Sequence, residues 1–254
     1  AAALSAVFGD QVEWGEGVVV IRAGALTQVL NYLRHEAAPR YDALVDLTAV
    51  DNLKLHRGAA PAGPVAPRFA VHYCLRSSEA DALLRLAVPC SGERLLSAVG
   101  LWPAADWFER EVYDLLGIEF DGHADLRRLL LPADFAHHPL RKDYPLTGVG
   151  EREESGRQIP SPLATLAPRS EEGEVAVLDF NGQGLRLLFE VEGDQVRAVR
   201  PDPGYVHAGL EKLGESLTYG QCAQLAGRIG EQLPFCGEVA LALAVAAELL
   251  SSSQ

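Results

Sequence analysis

Hydrophobic and polar positions along the first half of the chain predict a mixture of strands and helices. An apolar run of strand length at 18–21 precedes residues 25–37, whose apolar side chains recur at helical spacing: Leu26, Val29, Leu30 and Leu33. After the segment 41–50, residues 69–75 alternate as a strand does, and the apolar run at 82–88 fits either a strand or a helix. This order, with its hairpin-like spacing, predicts an α+β layer rather than a doubly wound sheet.

The clearest helix prediction covers residues 105–116. Its apolar face is expected to hold three residues: Phe108, Val112 and Leu115. The opposite face is expected to carry four charged residues: Glu109, Arg110, Glu111 and Asp114. Arg110 and Asp114 stand four residues apart and can form an ion pair that contributes a few tenths of a kcal/mol. Gly117 follows as the residue type that often ends a helix.

The second half of the chain begins with a change of composition. Residues 148–173 are rich in Glu, Arg, Ser, Pro and Gly and lack apolar periodicity, which is typical of a linker or an extended arm. Strands are predicted at 175–180 and 185–191, joined by the turn-forming pair Asn181-Gly182, and a third strand is predicted at 195–200. Three predicted helices follow, at 205–213, 217–232 and 239–250.

Composition and charge exclude several classes of function. The 254 residues carry a net charge of −13 at pH 7, whereas nucleic acids and anionic membrane surfaces bind clustered Lys and Arg. The longest apolar run, 239–250, has roughly half of the ~20 residues that a membrane span needs. The four cysteines include no CxxC pair, so zinc and iron–sulfur sites lack their usual spacing. We therefore expect no nucleic acid, no metal in this chain, and contact with a membrane only through a larger complex.

Two local patterns resemble binding sites but lack the necessary context. A Gly-x-Gly at 182–184 follows a predicted strand, yet a further strand stands where a dinucleotide site needs a helix N-terminus. Four potential metal ligands lie close together in sequence: His123, Asp125, His137 and His138. Their spacing matches no two-His-plus-carboxylate pattern on one helix face. A hairpin turn and ordinary polar residues are the preferred interpretations.

The segment 102–146 contains the strongest concentration of charged residues together with two prolines. Its candidate docking residues are Glu109, Arg110, Glu111, Asp114, Arg127, Arg128, His138, Arg141, Lys142 and Asp143. Glu109 and Asp114 could form an acid–base pair, but the sequence supplies no nucleophile, cofactor or oxyanion donor beside them. Pro139 and Pro145 keep the residues before them out of helical conformation. The preferred interpretation is a charged tail that straps across a partner protein, without catalytic residues.

Several stretches of this segment resemble the C-type subunit of complex I, the NADH–quinone oxidoreductase. The similar stretches are 101–107, 109–117, 122–132 and 138–146, together with an earlier strand-to-loop segment at 46–51. The resemblance covers residues 1–146. It implies an α+β domain with a mixed sheet, flanking helices and an extended C-terminal tail.

Residues beyond the linker resemble the start of the D-type subunit, the large quinone-site subunit related to nickel–iron hydrogenases. The resemblance rests on 204–207, 209–212, Thr218-Tyr219, Arg228 and 240–245. It implies a small β-rich segment that leads into helices. The predicted organisation is a C-like domain at 1–147, a linker at 148–173 and a truncated D-like segment at 174–254.

The resemblance to the D-type subunit also shows departures that bear on quinone binding. Tyr219 matches the family's quinone-contacting Tyr and is the predicted remnant of that site. The hairpin at 179–184 lacks the His that helps bind the quinone headgroup in the family. Gly227 and Gly230 stand where the family has Asp. We therefore expect at most a weak contact with quinone in this chain.

The combined resemblance implies a structural and docking subunit in the peripheral arm of a proton-translocating NADH–quinone oxidoreductase. The implied partners are the D-type subunit or its remainder, the B-type subunit and the I-type subunit, at the cytoplasmic face of the bacterial inner membrane. FMN and iron–sulfur clusters would belong to the assembled complex and not to this chain. The alternative is a subunit of a membrane-bound nickel–iron hydrogenase or formate hydrogenlyase complex. A free-standing hydrolase that uses Glu109 and Asp114 is a third hypothesis.

Overall fold

The chain forms two compact units, 1–149 and 150–254. The computed structural model describes residues 2–15, 17–53, 67–92, 94–149, 174–179, 185–192, 194–203, 209–228 and 234–251. The predicted linker at 148–173 lies outside the described residues from position 150 onward, as does the predicted Asn181-Gly182 turn.

The first unit is built on a five-stranded sheet with helices on one face. In chain order its elements are α1 (Ala2–Phe8), β1 (Val12–Trp14), β2 (Val19–Ile21), α2 (Leu26–His35), β3 (Ala43–Asp51), β4 (Phe69–Ser77), β5 (Ala82–Cys90), β6 (Leu95–Leu96), α3 (Ala105–Leu116) and β7 (Phe120–Asp121). The sheet order is β1-β2-β5-β4-β3, with β2 and β5 parallel and the other neighbours antiparallel. The short strands β6 and β7 form a separate parallel pair. The predicted α+β class with a mixed sheet is confirmed.

Alternation along β4 explains how the sheet binds the helices. Every second residue, from Phe69 to Leu75, is buried, because successive side chains of a strand point to opposite faces. The buried face packs with the four apolar residues of α2 that were predicted from helical spacing, at positions 26, 29, 30 and 33. Burying a side chain of this size stabilises the fold by about 1.5–3 kcal/mol. The apolar run at 82–88, which the sequence left open between a strand and a helix, is part of strand β5.

The burial of α3 differs from the prediction. The helix has the predicted bounds, but its buried residues are Ala105, Glu109, Val112, Asp114 and Leu116. Two carboxylates predicted on the solvent face are therefore inside the domain, and Phe108 and Leu115 are only half-buried. The spacing of apolar residues did not predict this burial, because it contains no information about other chain segments that bind the charged residues of a helix.

The second unit begins with a small antiparallel sheet. Strands β8 (Glu174–Asp179), β9 (Leu185–Glu192) and β10 (Gln195–Pro203) lie in the order β10-β9-β8. The predicted three strands are confirmed, and each of them begins or ends within about three residues of its predicted limits.

Three helices follow the small sheet: α4 (Leu210–Gly214), α5 (Tyr219–Ala226) and α6 (Pro234–Ser251). Thr218 caps α5, since its hydroxyl accepts the Gln221 N–H while the Gln221 side chain accepts the Thr218 N–H. The predicted end of α5, at 232, is later than the observed end at Ala226. The predicted start of α6, at 239, is later than the observed start at Pro234, a favourable first helical residue that periodicity does not detect. Among the described helices, none combines the length and hydrophobicity needed to cross a bilayer.

The hydroxyl of Tyr73 provides a test of the core. Tyr73 is fully buried on β4 between Leu47 and Leu86, and its Oη has no hydrogen-bond partner within the described part of the chain. We predict that Tyr73→Phe leaves the free energy of unfolding unchanged or raises it by about 1–3 kcal/mol, because a desolvated hydroxyl is removed while the ring packing stays. Urea unfolding followed by Trp fluorescence measures this in the first unit, which contains all three Trp residues. Tyr32→Phe, at a half-buried position on α2, is the control. A loss above about 1 kcal/mol for Tyr73→Phe would show that the hydroxyl has a partner.

Candidate docking site

Glu109 fastens α3 to the loop that follows β6. One carboxylate oxygen accepts the Ala98 N–H at 2.6 Å, and the other is 2.7 Å from the Ser97 hydroxyl. The side chain has no exposed surface. Burial raises the pKa of Glu109, and the hydrogen bonds from Ser97 and Ala98 only partly oppose this effect. The residue is therefore a structural link that binds a proton more tightly than an ordinary Glu does.

Asp114 fastens the other half of α3 to the segment 128–131. Its Oδ2 accepts three consecutive backbone N–H groups, those of Leu129, Leu130 and Leu131, at 3.0, 2.7 and 2.9 Å. Its Oδ1 accepts Arg128 Nη1 at 2.7 Å. Burial alone would raise the pKa of Asp114, but these four donors outweigh it and hold the pKa below its ordinary value. The carboxylate is thus anionic, and its hydrogen bonds hold residues 128–131 against α3.

Arg128 and Arg110 extend this network along the helix. Arg128 donates from Nη1 to the Asp114 carbonyl and from Nη2 to the His137 carbonyl, both at 3.1 Å. Arg110 donates to the carbonyls of Arg127 and Arg128 at 3.2 and 3.1 Å. The predicted ion pair between Arg110 and Asp114 is therefore wrong, because Arg128 occupies the carboxylate and Arg110 binds backbone oxygens instead.

The C-terminal end of α3 is capped by the tail of the first unit. The last carbonyls of a helix lack intrahelical donors, and here the tail supplies them. His138 Nδ1 donates to the Asp114 carbonyl at 2.9 Å, the Leu140 N–H to Leu115 at 3.0 Å, and Arg141 Nε to Leu116 at 2.7 Å. A guanidinium at this end of a helix also interacts favourably with the helix dipole.

Gly117 makes this close approach possible. Its φ of +72° lies in the left-handed region, where a Cβ is disfavoured. A Cβ at this position would also overlap the guanidinium of Arg141 and the ring of His138. Burial lowers the pKa of His138, and the hydrogen bond to the Asp114 carbonyl only partly offsets this. The neutral ring therefore carries its proton on Nδ1, because a carbonyl can only accept.

A second anchor holds the tail at the end of β3. Buried Asp51 accepts Arg68 Nη2 at 2.8 Å, the Leu53 N–H at 3.0 Å and the Lys142 N–H at 2.9 Å. Arg68 also donates to Asp143 at 2.8 Å, so one guanidinium bridges the sheet and the tail. Burial raises the pKa of Asp51, but the donors, Arg68 first among them, outweigh it and lower the net value.

The ten predicted docking residues thus lie in one region but in different environments. Glu109 and Asp114 are buried; Arg110, Arg128, His138, Arg141 and Lys142 are half-buried; Glu111, Arg127 and Asp143 are exposed. Most of the charged groups contact their own domain, and the tail passes over it in consecutive turns at Arg141, Tyr144 and Gly148. The assignment of these residues to docking stays a prediction.

The other residues singled out from the sequence belong to the second unit or make local contacts within the first. Tyr219 is the first residue of α5, and 74% of its surface is exposed. His123 contacts Asp106 at 3.3 Å, and Asp125 pairs with Arg127 at 2.9 Å. Across the described ranges, no three His, Cys, Asp or Glu side chains come together in a way that could hold a metal ion.

Sequence reasoning missed Arg68, Ser97 and the role of Asp51. In the sequence, Asp51 stands out only as the end of the stretch 46–51 that resembles the C-type subunit. Its contact with Lys142 spans 91 residues and its contact with Arg68 spans 17. No periodicity connects such positions, so only the fold brings them together.

This geometry defines an α+β scaffold domain in which two buried carboxylates and a capped helix fix the path of a charged segment. The family described as the respiratory-chain NADH dehydrogenase, 30 Kd subunit, matches residues 19–149. The C-type subunit of the NADH-quinone oxidoreductase of Caulobacter vibrioides is 42% identical over 146 residues, which cover 57% of this chain and 69% of that protein. The chain belongs to the 30 kDa subunit family of the respiratory-chain NADH dehydrogenases.

Longer relatives match both halves of the chain. The C/D-type subunit of the NADH-quinone oxidoreductase of Methylococcus capsulatus is 35% identical over 222 residues, which cover 79% of this chain and 37% of that protein. The C/D-type subunit of Rhodopseudomonas palustris BisB18 is 31% identical over 244 residues, covering 88% of this chain and 42% of that protein. The chain thus spans 37–42% of the length of these relatives. The predicted resemblance to a C-type subunit fused to the start of a D-type subunit is confirmed.

Among solved structures, the trypsin-resistant fragment of Nqo5 is 29% identical to this chain. The alignment covers 49% of this chain and 96% of that fragment, with a TM-score of 0.39.

Asp114 provides the first test of this network. We predict that Asp114→Ala lowers the free energy of unfolding by about 3–5 kcal/mol at pH 7, because it leaves Arg128 and three backbone N–H groups without their buried acceptor. Since the folded pKa of Asp114 lies below its ordinary 3.8, the stabilisation is present above that value and is lost as the pH falls through the folded pKa. Urea unfolding followed by Trp fluorescence, at pH 7 and in acid, measures both effects. Asp134→Ala, at an exposed site of the same segment, should change stability by less than about 0.5 kcal/mol. Equal effects of the two substitutions would contradict the assigned role of Asp114.

Glu109 should show the opposite dependence on pH. Its folded pKa lies above its ordinary 4.5, so its stabilisation is present below 4.5 and is lost as the pH rises through the folded pKa. Glu109→Gln keeps an acceptor for Ala98 and a donor for Ser97, and therefore resembles the protonated side chain. We predict that this variant is more stable than the wild type at pH 7–8 and that its advantage disappears near pH 4. Glu111→Gln, two residues along the same helix and exposed, should retain the wild-type pH dependence. An unchanged pH profile in Glu109→Gln would disprove the assignment.

Proposed function

We propose that the chain is a structural and docking subunit in the peripheral arm of a proton-translocating NADH–quinone oxidoreductase, and that it carries no catalytic residue of its own. The observation that supports this most directly is the match of residues 19–149 to the 30 Kd subunit family. That stretch contains the whole network around α3, in which Glu109 and Asp114 accept hydrogen bonds that fix backbone segments. This use of the two carboxylates supports a scaffold rather than the acid–base pair of a hydrolase.

The names of the relatives favour an NADH–quinone oxidoreductase over a hydrogenase-type complex. The proteins that match both halves of the chain are named as C/D-type subunits of NADH-quinone oxidoreductases. The hydrogenase-type alternative is not favoured by these relatives. We propose a C-like domain at 1–147, a linker at 148–173 and a D-like segment at 174–254, with Tyr219 as a remnant of the quinone contact and not a functional quinone site.

The proposed surroundings follow from this role. The partners would be the D-type subunit or its remainder, the B-type subunit and the I-type subunit, on the cytoplasmic face of the bacterial inner membrane. FMN and iron–sulfur clusters would reside in other subunits of the assembled complex. The chain would reach the membrane only through those partners.

The ten docking residues would contribute in two ways. The buried and half-buried members would hold the segment 102–146 in one shape, since side chains such as Arg110, Asp114 and Arg141 bind its own backbone. The exposed members Glu111, Arg127 and Asp143 would present charge to a partner. Such a division gives a rigid surface that loses little conformational entropy on binding.

Assembly in the source cell tests the proposal. We predict that the tagged full-length chain, purified from detergent-solubilised membranes, brings with it the B-type, D-type and I-type subunits of an NADH–quinone oxidoreductase. Arg141→Ala should lower the recovery of these partners about tenfold, equivalent to about 1.4 kcal/mol, because it removes helix-cap contacts that hold the tail. Arg40→Ala, at an exposed site before β3, serves as the control and should assemble as the wild type does. Recovery with the large subunit of a nickel–iron hydrogenase, or with none of these partners, would refute the proposed function.

A further inference from the structure

The last turn of α3 is closed by residues 138–141, called here the α3 clasp. Its donors bind three consecutive helix carbonyls: His138 Nδ1 binds that of Asp114, the Leu140 N–H that of Leu115 and Arg141 Nε that of Leu116. Because the three donors lie within one short stretch, a movement of His138 displaces the other two. The protonation state of this one ring therefore bears on the whole clasp.

The second ring nitrogen of His138 lies among positive charges. Nδ1 carries the proton of the neutral ring, so Nε2 has none. Nε2 and the guanidinium of Arg141 both lie over Gly117, since a Cβ on Gly117 would overlap the two. Arg128 is a second cation in this environment, because it donates to the same Asp114 carbonyl that accepts His138 Nδ1. A proton added at Nε2 thus places a third positive charge beside two guanidinium groups.

Two further groups face the ring from α3. Tyr113 contacts it edge to face, with ring centroids 6.1 Å apart. Asp114 supplies a negative charge that favours a protonated ring, but its carboxylate also accepts hydrogen bonds from Arg128 and residues 129–131. Burial of the ring, together with the two guanidinium groups, outweighs Asp114, so the pKa of His138 lies below its ordinary 6.5.

The lowered pKa makes the closed clasp sensitive to mild acid. A histidine whose pKa falls on folding adds stability above its ordinary pKa, and this contribution is lost as the pH falls toward the folded value. At pH 7.5 His138 is neutral whether the clasp is closed or open, whereas at pH 5.5 the open form binds the proton more tightly. The equilibrium then shifts toward the open form by at most about tenfold, because pH 5.5 is one unit below 6.5.

The neighbouring anchor of the tail does not titrate in this range. It consists of Asp51, which accepts the Lys142 N–H, and of Arg68, which binds both Asp51 and Asp143. Arg68 lowers the pKa of Asp143 below its ordinary 3.8. Burial raises the pKa of Asp51, but its donors, Arg68 first among them, outweigh burial and lower the net value. Both carboxylates stay anionic at pH 5.5, so opening is confined to residues 138–141.

We propose that the α3 clasp is a pH-controlled closure: neutral His138 keeps it shut over the end of α3, and proton uptake by His138 opens it in mild acid while Lys142 and Asp143 stay anchored. The closure does not depend on the proposed function, because every contact involved lies within the first unit. Its consequence, a docking segment whose shape responds to pH, does rest on that function.

Hydrogen exchange of the Leu140 amide in the purified full-length chain tests the closure, with each rate divided by the intrinsic rate at that pH. From pH 7.5 to 5.5 the protection of the wild type should fall several-fold, and at most about tenfold. His138→Asn offers an amide donor in place of Nδ1 and takes up no proton, so its protection should stay within about twofold. His137→Asn, at the exposed neighbouring position, is the matched control and should respond as the wild type does. The Val71 amide, in the buried centre of β4, should lose no protection.

The outcomes decide the closure without reference to any partner. Lower protection of Leu140 in the wild type and in His137→Asn, but not in His138→Asn, supports it. Unchanged protection in the wild type overturns it, and so does an equal loss in His138→Asn, because another group then takes up the proton. If His138→Asn does not fold, an NMR titration of the wild-type ring decides. A pKa of His138 below 6.5, with the Leu140 amide signal titrating in parallel, supports the closure, and a pKa of 6.5 or above overturns it. Each overturning result leaves the proposed function standing.

Discussion

The Asp114 carboxylate gathers three consecutive backbone N–H groups and the guanidinium of Arg128, and the shape of the segment 102–149 depends on this interaction. Once the carboxylate is in place, residues 128–131 must lie along α3. Arg128 then reaches the His137 carbonyl, and His138 reaches the carbonyl of Asp114 itself. A buried carboxylate and its four donors stabilise the fold only together, because losing the carboxylate would leave each donor desolvated without a partner.

The two buried carboxylates of α3 stabilise the fold in opposite protonation states. Asp114 has enough donors to outweigh its burial, and its anionic form stabilises the fold. Within the part of the chain that the structure describes, Glu109 has two hydrogen-bond donors, Ser97 and Ala98, so burial dominates and favours its protonated form. The C-terminal half of the helix is therefore held by charge and the N-terminal half by hydrogen bonds that tolerate neutralisation. The difference follows from the number of donors, not from the residue type.

The sequence predicted the elements of this fold better than the contacts between them. Helices α2 and α3 and strands β4 and β8–β10 follow from periodicity and turn residues, which are local signals, whereas the type of β5 stayed open between a strand and a helix. The inward orientation of Glu109 and Asp114 did not follow from the sequence. Both look like solvent-exposed positions until Ser97 and Ala98 are seen to bind Glu109, and residues 128–131 to bind Asp114. Arg68 and Asp51 were missed for the same reason, since their link to Lys142 and Asp143 joins distant parts of the chain. The short elements α1, β1, β6 and β7 carry too few residues to show a period.

A cluster of charged residues that stands out in a sequence can thus include side chains that are buried in the fold. The ten candidate residues were selected for their charge, yet the most buried of them contact backbone atoms of their own domain. Trp107 is exposed on α3, as Glu111 is, and it is an aromatic residue within the same motif that its charge pattern does not single out. Buried polar networks give a segment one defined shape, while exposed apolar groups on a rigid element give a partner something to bind. In this domain α3 carries both features: Trp107 is exposed, and the buried network holds the chain segments around the helix in one arrangement.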